Sequence, residues 1–298
     1  MTYVVGYGQH NNDRSAIELA CQLARSEPRP VRVVTVVPRG WGTPAAAGTD
    51  REFEAWAASE GEASAAQARE DLAAHPSTEA TATWVSGRSV PQALLERAAA
   101  EDAWMLVVGS SDDAEPGRIR LSSKTDRLVH SSHIPVAIAP RGYRTDKPVT
   151  RVTVGFRDDD SSWSLLTRVA EICRRASARL RVVTFVVPPP RRPVTSRLSQ
   201  PETQILEEWL ARVKEAQHDA EAHLRSEGFA AEELEFRIAE GTYWATAIGS
   251  LDWVDGDILV VGSSSTLPMA RVFLGSSATK IIRYAPVPVV AVPGRAVD

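Results

Sequence analysis

ILVVGSS fills residues 258–264, and MLVVGSS fills residues 105–111. Each is a short valine-rich run without polar alternation, and each stops on glycine followed by serine. Runs of this kind suit strands of a parallel sheet whose two faces are both covered by helices. Glycine at the strand end lets the backbone come close to a ligand or turn tightly. One such run decides little. Two in one chain, each followed by a polar loop and a helix-like stretch, point to an internal repeat.

The repeat extends outward from these runs. YVVGYG at 3–8 is echoed by RVTVGFR at 151–157, and VRVVTVVP at 31–38 by LRVVTFVVP at 180–188. WVSGRSVPQALLE at 84–96 returns more faintly as RIAEGTYWATAIG at 237–249, and HIPVAIAP at 133–140 returns as PVPVVAVP at 286–293. The order is kept throughout. Two copies of one domain follow, residues 1–142 and 150–298, joined by the polar segment RGYRTDKPVT at 141–150.

In the second copy, strands are predicted near 151–156, 180–187, 233–239, 257–262 and 287–292. Helical period separates them. Leu206, Leu210, Val213, Ala220 and Leu224 line one side of a predicted helix that Gly228 would terminate. Asp160, Ser161 and Ser162 are candidate caps for a helix carrying Leu166, Val169 and Cys173. Strands alternating with helices give parallel βαβ units. The fold class is therefore α/β, with a doubly wound five-stranded parallel sheet in each copy.

The bulk numbers agree with an ordinary two-domain protein. Of 298 residues, 43% are hydrophobic and 24% charged, and the net charge is −4. That field does not favour nucleic acid or an anionic membrane as partner. No apolar segment approaches the roughly 20 residues that cross a bilayer. The N-terminus shows no signal peptide, so a cytoplasmic location is expected. Cys21 and Cys173 fall on apolar faces of predicted helices and read as buried hydrophobes.

Sheets of this class bind ligands beyond the carboxyl ends of their strands, where the strand order reverses. Gly262 ends a predicted strand there, and Gly275 opens the next helix. A helix N-terminus offers unpaired N–H groups and about half a unit of positive charge, which suits phosphate. Ser276 and Ser277 add hydroxyl donors. No lysine precedes the serines, so this is not a Walker A loop, and no GxGxxG is present. The same glycines also serve a turn and a helix start, with no ligand required.

At this point the chain resembles the universal stress protein family in its tandem form. Nucleotide-binding members carry Gly, two residues, Gly, nine residues, Gly, then Ser or Thr. Here Gly262 is followed by Ser263, Ser264 and Ser265, then nine residues, then Gly275 and Ser276. The frame is kept, with Ser265 in the second glycine's place. VSGRSVPQAL at 85–94, DILVVGSS at 257–264 and PVPVVAV at 286–292 extend the resemblance over nearly the whole chain. It implies an adenine-nucleotide α-hydrolase-like fold and a stress-response role with ATP as ligand, magnesium being an optional companion. Carried over, the phosphate side is Gly262, Ser263, Ser265, Gly275, Ser276 and Ser277. The adenosine side is Gly155, Phe156 and Arg157, Val183 to Phe185, and Gly241. The family's last strands pair edge to edge, which implies two halves packed as a pseudo-twofold dimer. A homodimer of chains and an unidentified protein partner are further expectations.

The departures bear on which copy binds. The family places an acid after the first strand, where this chain has Gly8 in copy one and Arg157 in copy two. Copy one also puts Asp112 and Ser122 in the second and third glycine places. A carboxylate in a phosphate loop repels the ligand. Nucleotide is therefore expected in the second domain only. Tyr243 and Trp244 follow Gly241 and either stack on a base or fill the core. Arg191, Arg192 and Arg197 lie in a proline-rich loop, read as solvated surface. No HExxH, GxSxG or metal-spaced Cys/His set is present, so a dedicated enzyme is not expected. A non-nucleotide scaffold acting by protein contact and a slow ATPase stand as the other readings.

Overall fold

The computed structural model describes residues 1–8, 13–39, 47–188, 200–262 and 274–293. Ser263 and Ser265, and the loop with Arg191, Arg192 and Arg197, lie outside the described residues. The first half runs β1 (Thr2–Tyr7), α1 (Ser15–Ser26), β2 (Val31–Pro38), α2 (Ala47–Leu72), β3 (Ala80–Gly87), α3 (Val90–Ala100), β4 (Ala103–Gly109), α4 (Ser123–Ser131) and β5 (Val136–Ala139). The second half repeats the order. It runs β6 (Arg151–Gly155), α5 (Asp160–Ala176), β7 (Arg179–Val186), α6 (Gln200–Ser226), β8 (Leu234–Glu240), α7 (Trp244–Gly249), β9 (Asp257–Gly262), α8 (Ser276–Tyr284) and β10 (Val289–Val292).

The strands form one sheet in the order β3-β2-β1-β4-β5-β10-β9-β6-β7-β8. Within each half all pairings are parallel. The halves meet through β5 and β10, which pair antiparallel with Val136 opposite Ala291 and Ile138 opposite Val289. The edge-to-edge pairing of the last strands that the resemblance implied is present, and it makes the two five-stranded sheets one continuous sheet of ten strands.

Alternation explains why these strands read as unbroken apolar runs. Tyr3, Val5 and Tyr7 point into one core cluster, whereas Val4 points into the other. Both clusters cross the seam between the halves, taking in Ala137 with Val290 and Ile138 with Val289. A strand clothed on both sides has no polar face to show. Cys21 and Cys173 are fully buried and unpaired. Burial pushes their thiols up to about 11 and about 12.

Helix ends are set by local chemistry. Gly228 follows α6 with φ of 93°, a left-handed conformation that glycine adopts without strain. The N–H of Phe229 then reaches back to the carbonyl of Leu224 at 3.2 Å. The cap of α5 is Asp159, one residue before the expected start, and its carboxylate accepts the Ser162 N–H at 2.8 Å. The connector is tied to α1. Tyr143 donates to Gln22 at 2.8 Å, and the Val149 N–H donates to the Ser26 hydroxyl at 2.7 Å. No described helix is long and apolar enough to cross a membrane.

The amino end of the second half holds a buried charge network. Arg151, the first residue of β6, donates to Asp257, the first of β9, at 2.6 and 3.0 Å. Arg181 of β7 donates to Thr153 and to Asp252 at 3.0 Å each, and its other amino nitrogen lies 3.6 Å from Asp257. Trp253 lies under the same guanidinium, 4.7 Å from its carbon. Burial, and then the like charge of Arg151, pull Arg181 below the usual arginine range. Asp257→Asn leaves two buried cations without their shared anion. It should destabilise the chain by about 3–5 kcal/mol in urea unfolding. A loss under about 1 kcal/mol would mean that Asp252 and Glu235 carry the compensation instead.

Candidate functional site

In each half the strand order reverses beside the first strand. β1 lies between β2 and β4, and β6 between β7 and β9. Their connections leave on opposite faces, so a crevice opens at the carboxyl ends of those strands. Because β5 and β10 are antiparallel, the two crevices open at opposite ends of the sheet.

The second crevice is a cleft of about 380 Å³. Its floor is the strand ends, Gly155 with Phe156 and Arg157 from β6 and Val261 with Gly262 from β9. Gly275, Ser276 and Ser277 close one side at the start of α8. Trp209 of α6, Phe185 and Val187 at the end of β7, and Trp244 of α7 give an apolar wall. Phe185 and Trp244 pack with ring centroids 6.0 Å apart, and the Lys280 ammonium sits 5.9 Å from the Trp244 ring.

Sequence-predicted residues divide over this cleft. Gly155, Phe156, Arg157, Gly262, Gly275, Ser276 and Ser277 line it together. Val183 does not. It is fully buried beside Ala239 and Leu251, three residues short of the end of β7, whereas Phe185, the far end of the same expected stretch, lines the cleft together with Val187. Gly241 is not in the lining either, and the fold itself requires glycine there. A Cβ at Gly241 would stand 2.5 Å from the Ala247 nitrogen. Tyr243 is 67% exposed and fills no core. Ser161, Ser162, Leu165 and Trp209 also line the cleft, and sequence reading did not single them out for it. Trp209 carried a usable signal, a large aromatic at the edge of the apolar face of α6.

Gly155 behaves differently from Gly241. A Cβ there would meet nothing nearer than the Val260 carbonyl at 3.7 Å, and its φ is ordinary. The fold does not demand glycine at that place, since a methyl group would fit there in ordinary van der Waals contact with Val261 and Phe185. In the first half the matching Gly6 faces Leu94, 2.9 Å from where a Cβ would sit.

The helix starts differ in the same way. Ser122 caps α4 with its own hydroxyl, which accepts the Thr125 N–H at 3.1 Å. Gly275 stands in the same place before α8 and has no side chain to do so. The orphan donors of α8 are thus left for something else. Nearby acids are engaged. Asp158 accepts the Trp163 indole N–H at 3.0 Å, and Arg157 pairs with Asp159 at 3.1 Å. Burial opposes the Asp159 charge, but hydrogen bonds from Ser162 and Ser161 and the charge of Arg157 hold its carboxyl below the usual range. Among the described residues, no cluster of His, Cys, Asp and Glu could hold a metal ion.

The two glycines give opposed expectations. Gly241→Ala should destabilise by about 1–3 kcal/mol, since backbone must move to admit the methyl group. Gly155→Ala should stay within about 0.5 kcal/mol of the parent. Thermal unfolding of both variants checks the contrast, and equal losses would assign Gly155 to the scaffold.

Known proteins agree with this geometry. The model of the universal stress protein family matches residues 1–140 and again 148–293. Universal stress protein Rv2319c of Mycobacterium tuberculosis is 37% identical over 304 residues, covering 99% of this chain and all of that protein. Universal stress protein Mb2346c of Mycobacterium bovis matches to the same extent. Among solved structures, a universal stress protein of Archaeoglobus fulgidus superposes with a TM-score of 0.62 at 14% identity, covering 97% of this chain and 98% of that one. That likeness is one of fold. The double family match and the full-length relatives carry the assignment: the chain belongs to the universal stress protein family.

Proposed function

We propose that this protein is a stress-response regulator that binds ATP in the cleft of its second half. The observation that carries the reading is the start of α8 at Gly275, which no described side chain caps, facing a cleft floored by Gly155 with aromatic rings on the opposite wall. Backbone N–H groups of α8 and the hydroxyls of Ser276 and Ser277 suit a phosphate tail. Trp244, Trp209 and Phe185 suit a base, which stacks on aromatic faces. The described lining contains no carboxylate, so a magnesium ion accompanying the nucleotide would be held by the phosphates. Family membership supports the adenine nucleotide class.

One observation favours the scaffold reading. Asp158 and Asp159, the acids nearest the ribose place in the family's pattern, are taken by Trp163 and Arg157. Titration calorimetry with ATP separates the two. ATP should bind in the second half, and Gly275→Asp should weaken that site more than about tenfold by adding charge and bulk at the helix start. No heat at millimolar ATP would leave the scaffold reading. Undiminished affinity in the variant would remove residues 275–277 from the site.

A further inference from the structure

The first half holds a larger cavity, about 830 Å³ in volume, that adjoins its own crevice and shares Val36, Val90, Pro91, Ser123 and Lys124 with it. Four cations line it. Arg39 follows β2, Arg88 lies between β3 and α3, and Lys124 and Arg127 stand on the first two turns of α4. Ser89 and Ser123 add hydroxyls, and the described lining contains no carboxylate. Arg88, Lys124 and Arg127 are exposed and make no ion pair with any described residue. Arg97, Arg120 and His130, on neighbouring elements, all have acidic partners. Ser89 precedes α3 without capping it, so its hydroxyl is not spent on the helix.

Four like charges converging on a concavity raise one another's energy. A protein of net charge −4 has anions to spare for pairing them, yet none is among the described residues of the lining. The repeat sharpens the point. In the second half the matching positions are Pro188, Thr242, Ser277 and Lys280, one cation against four. The two halves share a scaffold, so fold maintenance does not explain the charges.

We propose that this cavity is a separate anion site, which takes a ligand bearing two or more linked phosphate groups. Arginine forks suit phosphate oxygens in pairs, and Lys124 adds a point charge. A single phosphate engages too few of four cations spread over such a volume. The neighbouring crevice carries the exposed Asp112, which turns phosphate away from the strand end and toward the cations. The site stands whether or not the second half binds a nucleotide.

The test uses the full chain and inorganic tripolyphosphate, followed by calorimetry at low and at high salt. Tripolyphosphate should bind at low salt, more tightly than orthophosphate, and weaken as salt screens the exposed charges. Arg88→Ala with Arg127→Ala should lower its affinity about tenfold or more, without change in thermal unfolding. Replacing both arginines with lysine should keep most of it, and in Gly275→Asp, where any phosphate held at α8 is removed, binding at the first half should persist. Competition with ATP identifies the source. Equal displacement by ATP and tripolyphosphate means that the phosphate chain alone is read. Tighter ATP means that a nucleotide tail is the occupant. No binding at millimolar tripolyphosphate in low salt, or binding untouched by the double alanine variant, or binding lost in Gly275→Asp would each overturn the proposal.

Discussion

β5 and β10 are four residues each, and every one of those residues is buried. As edges they would expose unpaired backbone groups along an apolar strip, which invites aggregation. Pairing them with each other removes both edges at once. The pairing is antiparallel, and much of the architecture follows. It joins ten strands in one sheet and carries both core clusters across the seam. It also sets the two crevices at opposite ends of the molecule. The edges that remain are β3 and β8, so an association of two chains has to use other surface than the one the last strands offer.

Separation of the crevices lets each half change its own rim. At the second crevice the rim is apolar and the helix start is bare. At the first, Leu94 leans on Gly6, Ser122 caps its own helix, and the cations gather one cavity further out. These changes fall on helices and on the loops between strands and helices, while the strands keep the same order and alternation. A substitution at a strand end alters a surface. The same substitution two residues earlier would disturb a core closed on both faces.

What the sequence disclosed follows the same division. The strands were readable because burial on both faces leaves valine runs that few other elements produce. Gly275 was readable because a glycine before an amphipathic stretch marks a helix start. Of the stretch Val183 to Phe185 that the resemblance offered, Phe185 reaches the cleft and Val183 does not, since a motif locates a strand but not how far its end projects. Asp159 was missed as the cap because three aspartates stand in a row, and only geometry shows that Asp158 reaches Trp163 while Asp159 turns to the helix. The basic cavity left no local signal. Its residues are 39, 88, 124 and 127, and only the strand order brings those three segments together.

The buried network of the second half bears on why its cleft has the shape it does. Arg151, Arg181 and Asp257 lie on β6, β7 and β9, the strands that flank the reversal of strand order. They are joined at or near their amino ends, away from the cleft. In the first half the matching places are Thr2, Arg32 and Trp104, and Arg32 pairs with the exposed Glu79 instead. A buried, charge-matched tie is poor value as net stability, because desolvation offsets most of the attraction. Its strength lies in geometry: a displaced strand would strand a charge, so the three strands hold one register relative to one another. Gly155, Gly262 and Phe185, at the far ends of those strands, inherit that register. The half whose strand ends form an open, uncapped cleft is thus the half whose strands are fixed most firmly from behind.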